Sequence, residues 1–107
     1  MQKYYSLMPL GIDAYAFSKE QALHIISIFA EKHIPILGGD VYYLNNGLIT
    51  DSNDSWYCNR NTGETQQEFA ERSCLVAKKH IESYPENDIA KNLFCIVTEA
   101  DVLEYMK

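Results

Sequence analysis

The sequence has no long apolar run: nothing in its 107 residues approaches the roughly 20 consecutive apolar residues that a membrane-spanning helix needs. Cysteine is scarce and unpaired by pattern. Cys58, Cys74 and Cys95 are odd in number and form no CxxC, so a disulfide framework is not expected and reduced thiols in a cytosol fit better. The first ten residues carry one Lys and no apolar stretch, unlike a secretory signal, which agrees with a cytoplasmic location. Basic residues are outnumbered, with 9 Lys+Arg against 15 Asp+Glu and a formal charge of -6. Such a surface repels phosphates, which argues against nucleic acid and anionic membrane as partners and favours a basic partner. Moderate negative charge also simply keeps proteins soluble, so charge alone names no partner. Repeats, low-complexity tracts and Pro/Gly/Ser linkers are absent too, and the length suits a single domain over residues 1–107.

What is present is helix and strand signal that segregates into blocks rather than alternating strictly. Residues Met1 to Tyr15 read as an irregular or partly extended lead-in, interrupted by Pro9 and Gly11. Ser18 and Gln21 have capping-box spacing, and Ala22, Leu23, Ile25, Ile26, Phe29 and Ala30 share one helical face, with the helix ending before Pro35. Ile34 to Leu44 predicts a strand interrupted by Gly38-Gly39. Asn45-Asn46-Gly47 predicts a turn, Leu48 to Thr50 a second strand, Asp51 to Asp54 another turn, and Ser55 to Asn59 a third strand. Thr65 with Glu68 opens a helix running to about Tyr84, next to Pro85, and LFCIVT (93–98) predicts a central buried strand. The expectation is an α+β fold: a mainly antiparallel sheet of about four strands with two helices packed on one face.

Catalytic and metal signatures are missing. There is no GxSxG, P-loop, HExxH or zinc-deaminase pattern, and nothing implies a cofactor. Asp51 and Asp54 flank Asn53 as D-x-N-D, like the start of a calcium loop. Trp56 and Thr62 stand where that loop needs Gly and Glu, so ordinary turn chemistry is the better reading and no metal is expected. His24 lies on a polar helix face and His33 at a helix end. His80 lies on the apolar stripe of the second helix, where a hydrogen-bonded core histidine outweighs a general base. Gly38-Gly39 suggests a bulge or a close backbone approach. Asp40 beside it is either a catalytic carboxylate or the partner of an arginine, Arg72 being the candidate. Aromatics concentrate in the meander as Tyr42, Tyr43, Trp56 and Tyr57, beside Asp40, Asp51, Asn53 and Asp54. Aromatic and acidic groups together are what interface hot spots favour, although strand alternation sends neighbours to opposite faces and leaves Trp56 more plausible as core.

The run PILGGDVYYLNNG, then DSNDSWY, then EFAERSCLVAKKHIESY and FCIV, resembles the immunity protein 40 family over about Ile34 to Val97. That resemblance implies a non-enzymatic inhibitor in a bacterial polymorphic toxin system, binding the toxin domain encoded beside it. Gly39, Asp40, Trp56, Tyr57, Arg72 and Ser73 carry over as motif positions only. Three functions stay open: a toxin-binding inhibitor, acting as monomer or homodimer; a small regulatory domain with a metabolite pocket at Gly38-Gly39; and an enzyme using Asp40 and His80 as an acid–base pair.

Overall fold

Ser18 and Thr65 start the two helices where the capping spacing places them. The computed structural model describes residues 4–86 and 91–106. Helix α1 (Lys19–Lys32) begins with the Ser18 hydroxyl accepting from the Gln21 amide at 3.2 Å. It ends at His33, which takes a left-handed φ of 57° and turns its N–H back onto the last carbonyls, so the chain leaves the helix before Pro35. Helix α2 (Gln66–Glu82) carries the full reciprocal box: Glu68 N–H donates to Thr65 Oγ1 at 3.1 Å, and Thr65 N–H donates to Glu68 Oε1 at 2.8 Å. Each such cap contributes about 1 kcal/mol.

Five strands form one sheet in the order β1-β2-β5-β3-β4, every neighbouring pair antiparallel: β1 (Tyr4–Ser6), β2 (Tyr15–Ser18), β3 (Gly38–Asn45), β4 (Leu48–Tyr57) and β5 (Lys91–Val97). Both helices pack on one face, as the sequence predicts. Phe17, Val41, Trp56, Phe94 and Ile96 of the sheet meet Ile25, Ile26, Phe29, Ala77 and Ile81 of the helices there. The LFCIVT run is the middle strand and is buried on both faces, because Leu93 and Cys95 point the other way into a second cluster with Leu7, Ala16 and Tyr42. A short 3-10 turn, Val102–Met106, closes the chain, with the Tyr105 ring edge-on to Phe29 at 5.2 Å.

Two expectations need correction. The sheet has five strands rather than about four: the lead-in is partly extended, with β1 paired to β2 in its described part, and the two strands expected at 48–50 and 55–59 are one, β4. The segment between β1 and β2 carries a 3-10 turn, Met8–Leu10, and plants fully buried Leu7 on the second sheet face. An interior apolar anchor whose contacts at Tyr42, Leu93 and Cys95 lie far away in the chain leaves no local periodicity to read. The turn at Asp51 to Asp54 is likewise not a chain reversal. Strand β4 runs straight through, with Asp54 opposite Val41 and Asp51 opposite Tyr42, so Ser52 and Asn53 bulge out. The local bonds that predict a turn are all made: Asp51 Oδ1 accepts from Asn53 N–H at 2.8 Å, and Ser52 Oγ accepts from Asp54 N–H at 3.1 Å. Ser52 also donates to the Val41 carbonyl at 2.6 Å, which ties the bulge to β3 rather than releasing it. The true reversal is at Asn46-Gly47, where φ values of 53° and 78° give the two-residue hairpin turn that Asn-Gly favours.

Candidate functional site

The β3–β4 hairpin divides the candidate residues between two sheet faces. Toward the helices point Gly39, Asp54 and Trp56; away from them point Asp40, Tyr42, Asp51 and Tyr57. Asn53 sits on the bulge with a left-handed φ of 64°.

On the helix face, Trp56 lies over Gly39 and its indole stacks on the His80 ring at 4.7 Å with 30° between planes. His80 Nε2 is 3.0 Å from Asp54 Oδ2, and the Tyr84 hydroxyl donates to the same oxygen. This is the hydrogen-bonded histidine expected on α2, half-buried rather than sealed. Tyr84, four residues after His80 and so on the same stripe of the helical pattern, completes the cluster. Trp56 is only 6 % exposed and its Nε1–H has no acceptor among the described residues, so packing rather than hydrogen bonding fixes the ring.

The expected Asp40–Arg72 pair does not form. The two belong to different faces, and Arg72 is engaged elsewhere: Nε and Nη2 donate to Glu64 at 2.7 and 2.8 Å, Nη2 also to the Asn59 carbonyl at 2.6 Å, and Nη1 to Cys58 Sγ at 3.1 Å. Its guanidinium lies 5.6 Å from the Phe69 ring centroid. Arg72 therefore ties the loop between β4 and α2 to the first turns of α2. Arg72 also stands four residues after Glu68, a spacing that suits an ion pair along a helix, but the Glu68 carboxylate accepts from the Thr65 amide at the cap and Arg72 turns to Glu64 instead. The neighbouring Ser73 is fully buried; its hydroxyl accepts from Ile36 N–H at 3.0 Å and donates to Ala70 O at 3.3 Å. Both motif positions thus have structural partners.

The bidentate arginine holds the Glu64 carboxyl down at about 2, helped by the Asn61 amide that donates to it. A carboxylate whose folded value lies below its ordinary value near 4.5 adds stability above that pH and loses it as pH falls toward about 2. Urea midpoints measured across that window should therefore fall in the wild type. Glu64→Gln should flatten this part of the slope; an unchanged slope would count against the account.

On the second face, Tyr42 is 4 % exposed beneath the Leu7 segment, and burial, with Asp40, Cys95 and Asp51 nearby, pushes its hydroxyl up to about 12. Tyr42 and Trp56 are thus corrected as contact residues, since their side chains offer almost no surface. Asp40 is half-buried and has no hydrogen bond or ion pair among the described residues. Burial, and then the Asp51 charge, raise its carboxyl above the ordinary value. Tyr57 is 80 % exposed, and Val97 on β5 is exposed beside it.

These placements narrow the chemistry. Asp40 and His80 stand on opposite sides of the sheet and cannot share a substrate, so that acid–base pair is removed. Asp51 and Asp54 also point to opposite faces, and among the described residues no group of three His, Cys, Asp or Glu could hold a metal. The hollow at Gly38-Gly39 has a volume of only about 50 Å³, whereas metabolite sites occupy roughly 300–1,000 Å³. Among the described residues no helix is long and apolar enough to cross a membrane.

Compared with known proteins, the chain matches the family model described as Immunity protein 40 over residues 6–98. The match takes in the buried Leu7 segment and α1 as well as the Ile34 to Val97 stretch. Neither a curated protein nor a solved structure gives a match.

Proposed function

Because the chain belongs to the immunity protein 40 family, we propose that it is a non-enzymatic inhibitor that binds and neutralises a cognate bacterial toxin domain in the cytoplasm. The family match carries this reading. The charge of -6 supports a basic toxin, which an acidic inhibitor would attract over long range. The contact surface we assign is the acidic second face and bulge of the β3–β4 hairpin, with Asp40, Asp51, Asn53 and Tyr57. Tyr57 is its aromatic anchor, since a large exposed ring in a sheet otherwise buried at its centre suits an interface hot spot.

The test is co-expression with the toxin domain encoded beside it. The chain should restore growth, and the purified pair should form a 1:1 complex whose association slows as salt is raised. Absence of both protection and a complex would sink the proposal.

A further inference from the structure

The second face of the sheet is closed at its middle and open at one end. Leu7 clusters with Tyr42 and Leu93, which face each other across β3 and β5, and with Cys95. The terminal row is Val97–Gly38–Tyr57, read across β5, β3 and β4. Its central position has no side chain, so Val97 and Tyr57 stand apart across a gap of roughly two strand spacings, about 10 Å. Gly38 also lets β3 approach β4 closely: a Cβ there would lie 2.3 Å from the Trp56 carbonyl oxygen. Asp40 belongs to the next row, opposite Cys95 and Ser55, and is therefore a diagonal neighbour of both Tyr57 and Val97, roughly 7–8 Å away.

We infer that this gap receives a single basic side chain of the toxin domain, arginine before lysine, with its charged head on the Asp40 carboxylate and its stem between the Tyr57 ring and Val97. The inference rests on the toxin-binding reading and names the chemistry of its contact. Charge complementarity selects the occupant. Asp40 has no cation among the described residues, Asp51 adds a second negative charge on the same face, and the whole chain is acidic. An exposed tyrosine face beside a carboxylate suits a planar guanidinium, which can stack on the ring while it donates to the oxygens. The neighbouring free edge of β4 suits a partner strand less well, because the bulge at Ser52-Asn53 interrupts its line of backbone groups. Burying an uncompensated Asp40 works against folding, as its raised carboxyl indicates. Asp40→Asn should then be at least as stable as the wild type while binding less well, which separates a binding role from a structural one.

Two probes test this. A tetra-arginine peptide titrated at low salt should shift the NMR signals of Gly38, Asp40, Tyr57 and Val97 first, and Asp40→Asn should abolish that pattern. Shifts spread evenly over the acidic surface would overturn the inference. With the toxin domain, Asp40→Asn and Tyr57→Ala should each raise Kd at least tenfold, mainly through faster dissociation; Tyr57 is exposed enough that its truncation leaves the fold intact. If the toxin domain binds both variants as it binds the wild type, the gap is not its contact, although the toxin-binding reading stands. If the toxin domain does not bind at all while the peptide maps to the gap, that reading falls and the basic-side-chain site stands.

Discussion

Gly39→Ala is expected to lower the unfolding free energy by about 3 kcal/mol, the upper end of what overpacking a core costs. A Cβ at this position would lie 2.2 Å from Trp56 Cη2, 2.6 Å from Cζ2 and 2.6 Å from the Cys95 carbonyl oxygen. None of these neighbours can easily yield. The indole is held between the glycine and the His80 ring, and the carbonyl belongs to β5, the middle strand. A loss of that size is a large share of the roughly 5–15 kcal/mol that a domain has in total. Equilibrium urea unfolding, followed by far-UV circular dichroism so that variants without Trp56 can be measured alike, gives it directly. Combining the change with Trp56→Leu, which removes the ring atoms in the way, should cost less than the two changes summed, by about 1 kcal/mol or more. A cost below about 1 kcal/mol for the single variant would mean that the ring shifts freely, and the close-approach explanation of the second glycine would be lost.

Ser73→Ala should cost about 2 kcal/mol. The substitution nearly preserves shape but strands the Ile36 amide, whose hydrogen bond to the serine hydroxyl lies in a fully buried site. An unsatisfied buried donor costs about 1–3 kcal/mol. The effect should also be local. Hydrogen exchange of the Ile36 amide should accelerate far more than exchange in α1, because that amide loses its only described acceptor while the α1 ladder stays intact. Unchanged protection of Ile36 would show that the serine is not what holds the segment between α1 and β3 against α2. Together with Arg72, which grips Glu64 and the Asn59 carbonyl, Ser73 makes the two adjacent motif positions anchors for the two connections that flank the β3–β4 hairpin.

The helix caps were legible because their bonds close within three residues: Ser18 to Gln21 and Thr65 to Glu68 are local chemistry that needs no tertiary partner. The Asn46-Gly47 reversal and the central apolar strand were legible for the same reason, a short-range signal with one geometric solution. The D-S-N-D segment was legible only in part. Its side-chain bonds formed as expected, but whether they turned the chain or bulged a strand depended on β3 running alongside to pair with both halves.

The sequence by itself determined both helices with their caps, the Asn46-Gly47 reversal, the central strand, the α+β class, the packing of both helices on one face and the family resemblance, all of which follow from local bonding, periodicity and motif order. Only the tertiary structure decided which side chains meet. It gave Arg72 to Glu64 instead of Asp40, drew Asp54 to His80 and Tyr84, folded Leu7 over Tyr42, and left Asp40 near Tyr57 with no counter-charge among the described residues. The reason is physical: strand alternation assigns residues to opposite faces, but which face is covered, and by what, is set by segments far away in the chain. The acidic, aromatic stretch from Asp40 to Tyr57 is therefore two surfaces rather than one: Gly39, Asp54 and Trp56 lie toward the helices, and Asp40, Tyr42, Asp51 and Tyr57 lie away from them.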